Sequence, residues 1–165
     1  MAPSAEPQRL LNARRFLLSY SLKQLDEAVR LLSPNVVYTV PGNSQIAGVF
    51  RGPDEVRRHI VRLIELSRGT FEVLKWMDWM VSETHISALQ YAQAQSHGGI
   101  YRGHHIYLLE SDSDDLLSSI KVFFEDQAAA DRTVLGRRRA AEAPRAHPAA
   151  LRRHGSPGSR RIWWR

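Results

Sequence analysis

The chain ends an apolar run, "LLSSIKVFFED" (116–126), on the paired acids Glu125 and Asp126. The apolar segment before it, "YRGHHIYLLES" (101–111), carries His104 and His105, and the one before that, "HISALQYAQAQS" (85–96), carries Gln93 and Gln95. A carboxyl that burial keeps partly neutral can pass protons near neutral pH. A histidine can polarise a carbonyl or orient the acid. Side chains two apart on a strand share a face. On the last segment Ile120, Val122, Phe124 and Asp126 form the more apolar set, so this set is predicted to face an interior and to bring Asp126 with it. His105, Tyr107 and Leu109 share a face of the neighbouring segment, and Tyr91, Gln93 and Gln95 share one of the next. The pattern predicts a polar cluster in an apolar cavity, with Asp126 placed to move a proton and His105 to orient it or to polarise a carbonyl. Two alternatives stand beside this. An Asp before "QAAAD" is also a good helix cap, and the two histidines could be one exposed ring and one satisfied inside.

Further candidates follow from "KWMDWMV" (75–81). Strict alternation sets Trp76 and Asp78 on one face and Trp79 on the other, so both faces must be covered. One face lines the core or the pocket, and Asp78 is a second candidate acid or a hydrogen-bonder where the other face is covered. Tyr38 either donates to a ligand oxygen or packs. His104 and His105 are adjacent and point to opposite faces, so they cannot chelate one ion together, and no metal is predicted. There is no Gly-rich phosphate loop, and no cofactor is predicted.

These residues need elements to hold them. Apolar positions Leu10, Ala13, Phe16, Leu17 and Tyr20 predict one helix over 8–20. Ser21 and Gln24 have capping-box spacing before a second helix that turns Leu25, Ala28, Val29 and Leu32 inward. Ser33-Pro34-Asn35 stops it, and "VVYTV" (36–40) reads as a strand. Pro41-Gly42 turns the chain into a short extended piece, 46–50. A third helix starts at Pro53, with Asp54 and Glu55 in its first turn, and buries Val56, Ile60, Leu63 and Ile64. After Gly69 the period changes from 3.6 to 2, and four long strands follow: 70–83, 85–96, 101–111 and 116–126. Helices followed by an antiparallel meander predict an α+β fold, a strongly curved sheet wrapped around three helices, closed by a short turn over 127–135.

Composition narrows the class. The chain has 165 residues and no cysteine, which excludes a disulfide framework and thiolate metal sites. No apolar run approaches membrane-spanning length, and the N-terminus lacks a signal-like stretch, so a cytoplasmic protein without membrane association is expected. The net charge of +6 is misleading. Residues 136–165 hold nine arginines against one acid, a charge of +8, while the remainder holds 14 basic and 16 acidic residues, a charge of −2. Residues 1–8 are expected to be a flexible N-terminus, 9–135 the domain, and 136–165 an Arg/Ala/Pro-rich disordered tail. The domain carries no nucleic-acid signature; the tail alone could bind polyanions.

The segments "PGNSQIAGVFRGPDEVRRHI" (41–60), "SRGTFEV" (67–73) and "KVFFEDQAAAD" (121–131) carry a resemblance that spans residues 9–135. Over that range the chain resembles the NTF2-like superfamily, in its branch of SnoaL-like polyketide cyclases and ketosteroid isomerases. The resemblance implies a cone whose rim is the 41–60 segment. The isomerase positions for a proton-moving aspartate and an enolate-stabilising tyrosine hold Val40 and Phe16 here, so that mechanism is rejected. The Arg-x-Asp of limonene-epoxide-hydrolase-like members is Arg102-Gly103-His104, which lacks the acid. SnoaL-type cyclases use an acid near the end of the last strand with a histidine and a glutamine, roles that would fall to Asp126, His105 and Gln93, although a strict alignment sets Phe124 at the acid's position. The implied function is cofactor-free acid/base chemistry (cyclisation, isomerisation or dehydration) on an apolar oxygenated ring such as a polyketide or terpenoid intermediate. Tyr38, Trp76, Asp78, Tyr91, Gln95, Tyr107 and Phe124 would surround that ring, and the sheet's outer face would form a homodimer. The alternative is a non-catalytic ligand-binding or dimerisation module. Geometry separates the two: Asp126 and His105 in one cavity favour catalysis, and Asp126 capping the last helix outside it favours the module.

Overall fold

In a computed structural model, which describes residues 6–133, the five apolar positions read from the first segment lie on one buried face of α1, Gln8–Ser21. The predicted tail, 136–165, lies outside the described residues. Helix α2, Leu25–Arg30, is short, and Ser21 does not cap it. Ser21 ends α1 instead, its hydroxyl donating to the Leu18 carbonyl at 2.8 Å. Strand β1, Leu32–Val40, starts earlier than the proline in it suggested. Its pairing is irregular between Leu32 and Val37, and such a break tolerates Pro34 and its missing N–H. Strand β2, Gly48–Arg51, pairs antiparallel with β1. Helix α3, Gly52–Leu66, follows at once. Its start is fixed as the sequence predicts, with Pro53 in the first turn and the Glu55 carboxylate reaching back to accept the Arg51 N–H at 2.7 Å.

The long strands are β3 (Glu72–Val81), β4 (Ile86–Ser96), β5 (Gly99–Ser111) and β6 (Leu117–Phe124), and helix α4 (Gln127–Thr133) comes last. Together with β1 and β2 they form one six-stranded sheet in the order β2-β1-β6-β5-β4-β3. The β1–β6 pair is parallel and the others are antiparallel. This is the α+β, mainly antiparallel architecture expected from the change of period. The buried core joins Leu10, Phe16 and Leu17 of α1 and Val56, Ile60 and Leu63 of α3 to the sheet residues Val36, Ile86, Leu109, Leu117 and Ile120.

Strand β3 departs from strict alternation. Its register with β4 shifts between Val73 and Lys75 and again between Trp76 and Asp78. Each extra residue reverses the facing of everything after it. Trp76 and Trp79 therefore sit on the same face, opposite Gln90 and Ala88, with rings stacked 5.6 Å apart. The expectation that they cover opposite faces is corrected.

The rim segment is pinned by α4. Asp131 accepts hydrogen bonds from the Asn43 and Ser44 N–H groups, each at 3.0 Å. Gln127 Nε2 donates to the Pro41 carbonyl at 3.3 Å and to Asp131 Oδ1 at 3.0 Å. Gly42 sits against both side chains at φ +95°, where a Cβ would lie 2.1 Å from Gln127 Nε2. Only glycine meets both demands, the left-handed backbone and the close approach. No helix among the described residues is long and apolar enough to cross a membrane.

Candidate ligand-binding site

Between the helices and the concave face of the sheet lies an aromatic cavity. Its polar wall is built by simple alternation on β5. Tyr101, His105 and Tyr107 all turn inward and are buried, as do Val122 and, partly, Phe124 on the next strand. Tyr20 from α1, Tyr38 from β1 and His59 from α3 close the other side, with Phe71 and Ala94 at one end. The free space is about 30 Å³, room for one or two water molecules.

The inward groups form an uncharged cluster. The hydroxyls of Tyr20, Tyr38 and Tyr107 are close enough to act on one another's titration, and Gln90 acts on that of Tyr107. Burial pushes Tyr107 and Tyr101 up to about 12, and Tyr20 and Tyr38 well above their ordinary value, so all four hydroxyls keep their protons at neutral pH. Burial, helped by the charge of neighbouring His104, brings His105 down to about 4, and burial brings His59 down to about 3. Both rings are therefore neutral.

Gln90 lies directly opposite His105 on β4, and its Nε2 is 3.4 Å from His105 Nδ1. With the Gln90 amide assigned this way round its nitrogen donates, so Nδ1 accepts and the ring proton is assigned to Nε2. His105 Nε2, Tyr101 Oη, Gln90 Oε1 and His59 Nδ1 are buried with no partner. Unpaired buried polar atoms are rare enough to ask for an explanation, and for the three residues that line the cavity, His105, Tyr101 and His59, a ligand or ordered water in it supplies one. The His105 ring is held from two sides, stacked with Tyr101 at 5.6 Å and edge-on to Phe124 at 4.7 Å. Tyr101 reaches its place by lying over Gly103, where a Cβ would be 2.6 Å from the hydroxyl.

The placement of the expected residues is mixed. His105, Tyr107, Tyr38 and Phe124 meet in the cavity as anticipated. Asp126 does not join them. Strand β6 ends at Phe124, so its alternation does not extend to residue 126. Asp126 is exposed, and its Oδ1 accepts the Ala129 N–H at 2.8 Å at the start of α4. That is the capping alternative. Tyr91, Gln93 and Gln95 turn outward, because β4 presents Ala88, Gln90, Ala92 and Ala94 to the interior. Gln93 bonds to Glu72 and Arg102, and Tyr91 lies against His104 at 4.9 Å. Asp78 is exposed and accepts the N–H of Trp79. Trp76 packs against the core without lining the cavity. No Asp or Glu is among the residues lining the cavity. Among the described residues no three His, Asp or Glu side chains come together as a metal site.

His59, Gln90 and Tyr101 were not singled out from the sequence, and Tyr20 was read only as core. His59 had a signal: it falls three residues after Val56 and four before Leu63, on the buried face of α3. Gln90 also had one, as the single polar residue in the inward series of β4.

No protein-family model and no curated protein matches the chain. Solved structures do. A cystatin-like-fold protein of unknown function from Xanthomonas campestris is 24% identical, with a TM-score of 0.73 over 78% of this chain and 98% of its own. An NTF2-like protein of unknown function from Burkholderia pseudomallei is 15% identical, with a TM-score of 0.68 over 79% of this chain and 100% of its own. RV0760c from Mycobacterium tuberculosis, solved in complex with estradiol-17beta-hemisuccinate, is 11% identical, with a TM-score of 0.60 over 72% of this chain and 94% of its own. The helices, the curved six-stranded sheet and these neighbours identify the fold of residues 6–133 as the NTF2-like cone.

Proposed function

We propose that the cone is a binding module for a small molecule whose apolar, uncharged ring carries an oxygen acceptor such as a carbonyl. The observation that carries this reading is the His105 Nε2–H, unpartnered and buried beside the unpartnered Tyr101 hydroxyl in an aromatic cavity. A site of pre-placed neutral donors favours an acceptor and disfavours an analogue that would leave them unpaired. The neighbour that holds estradiol-17beta-hemisuccinate supports a small-molecule role for this cone. The test is calorimetric titration with 1-tetralone and with tetralin, the same ring without its carbonyl. Tetralone is expected to bind about tenfold tighter, the worth of one good buried hydrogen bond. Equal binding, or none by either, overturns the reading.

A second reading is cofactor-free acid/base catalysis of the SnoaL-like kind, and the position of His105 favours it. With Asp126 on the surface and Gln93 turned outward, proton movement would fall to His105, with Tyr101 or Tyr107 stabilising the oxyanion. A ring brought down to about 4 is a weak ground-state base, which is why binding is put first. Deuterium exchange next to the carbonyl of bound tetralone separates the two. Catalysis requires exchange that is lost in His105→Phe, and the module requires none.

The outer face of the sheet is assigned to a second copy of the chain. Leu89, Ile106 and Phe123 form one cross-strand row there, with Ile106 41% and Phe123 49% exposed. Sedimentation is expected to show a dimer that Ile106→Asp splits; a wild-type monomer removes the assignment.

A further inference from the structure

A ring cannot enter about 30 Å³ unless a wall moves. Three outer clefts share wall residues with the cavity. One shares Val40, held in β1 by its pairing with Gly48. One shares Ile46 and His59, and His59 is fixed within α3. The third shares Phe71 and Ala94, and its volume is about 660 Å³. Phe71 belongs to neither α3 nor β3; it stands between them, two residues after Gly69 at φ +71°. Its ring meets Tyr20 edge-on at 5.4 Å. Ile46 is also a loop side chain, but its shared wall is completed by a helix residue; Phe71 is the loop side chain whose wall has a small alanine for its other half.

The third cleft wraps an open edge of the sheet. The pairing of β3 with β4 begins at Glu72 and Gln93. Beyond that point the Thr70 hydroxyl takes the place of a strand, accepting the Gln95 N–H at 2.7 Å, while its own proton goes to the Ser67 carbonyl at 2.6 Å. The inward Ala94 and the outward Gln93 and Arg102 therefore border one space, together with Lys23 from the end of α1. Glu72, the one acid lining it, accepts from Gln93 Nε2 at 3.1 Å, and Gln93 Oε1 accepts from Arg102 Nε at 3.0 Å. The terminal guanidinium nitrogens of Arg102 and the Lys23 ammonium have no hydrogen-bond or ion-pair partner among the described residues. Exposed Leu22 and Ile100 supply apolar flanks, each 57% accessible.

We propose that cavity and cleft are one two-compartment site, with Phe71 as the movable wall between them, for an elongated ligand with an apolar ring head and an anionic tail. The head lies against Tyr101 and His105, and the tail is held by Arg102 and Lys23. This rests on the cavity-binding reading above and names the ligand class it serves.

The test uses two dyes that share one ring system, 1-anilinonaphthalene-8-sulfonate and its uncharged parent N-phenyl-1-naphthylamine, with the full chain. Fluorescence titration is expected to show the sulfonate dye weakened about tenfold in a Lys23→Gln/Arg102→Gln double variant, the loss of charge-assisted contacts, with the neutral dye unchanged. The Arg102→Lys single variant should retain most of the sulfonate affinity. Nitrogen NMR on wild type should show the sulfonate dye moving both the His105 ring and Arg102 Nε signals, and the neutral dye moving His105 alone. Phe71→Leu should speed association of both dyes. If the double variant binds both dyes as wild type does, or weakens both equally, the two-compartment site is overturned while cavity binding stands. If neither dye moves the His105 signal, cavity binding itself falls and this proposal with it.

Discussion

His104 and His105 are neighbours in sequence, and the sheet sends them to opposite worlds. His105 is buried among Tyr101, Phe124 and Gln90, neutral, with one nitrogen unpaired. His104 faces outward, its Nδ1 2.8 Å from the Glu125 carboxylate, which also accepts the His104 backbone N–H at 3.1 Å. This pairing holds Glu125 below the usual carboxylate range. The difference teaches that residue type sets only what a side chain can do. Facing decides whether it is a hydrogen-bond partner at the surface, worth little in stability, or an uncharged donor in a dry cavity, where each unmet bond is costly.

The largest effect that would sharpen this contrast is acid sensitivity. His59 and His105 have folded values of about 3 and about 4 against an ordinary 6.5. The unfolded chain therefore binds more protons than the folded one below about pH 6.5, and stability must fall as pH drops towards 4. It is fully present above about 6.5 and is lost as the pH passes down through the folded values. Each ring is worth on the order of a few kcal/mol over that window. Denaturant titrations at a series of pH values should show it, and His105→Phe should make the slope shallower by about one proton. An unchanged slope would break the contrast at its root.

Next in size is Gly103→Ala. The added methyl collides with the Tyr101 hydroxyl and should cost about 1–3 kcal/mol in a thermal or denaturant melt, as overpacking does. Tyr101 would leave its stack on His105, which a changed His105 ring shift would report. A neutral outcome on both readings would mean that the ring is free to lie elsewhere. Smaller again is the effect on recognition. His105→Phe should erase the tetralone preference, about tenfold, while His104→Phe should leave it intact. If both variants, or neither, remove it, the two faces are not functionally distinct. The smallest effect is His104→Gln, expected to leave the denaturant midpoint almost unchanged, because an exposed pair adds little to stability.

What was legible in the sequence follows the same division. On β6 the inward set was read correctly as far as Phe124, because one face is plainly more apolar: Ile120 and Val122 against Lys121 and Glu125; on β5 the grouping of His105, Tyr107 and Leu109 followed from alternation alone. On β4 the reading fails for a physical reason. The β5 aromatics fill the interior, so β4 must offer small residues there, and Ala88, Ala92 and Ala94 look less core-like than Leu89 and Tyr91 on the outside. The tryptophans of β3 were misassigned because bulges change parity without a mark in residue type. Asp126 was one step too far: alternation is a property of the strand, and the strand had ended. His59 was readable from helical spacing but was passed over, because the apolar residues around it already completed the pattern.

The bonds from Asp131 to the rim, 87 and 88 residues away in sequence, set an order of events. The turn at Gly42 emerges early in synthesis, but the carboxylate that satisfies its two N–H groups emerges with the last helix. Contacts of such separation are slow to close. The mouth of the cone therefore takes its final form only with α4 in place, and a chain ending before Gln127 would lack the groups that pin its rim.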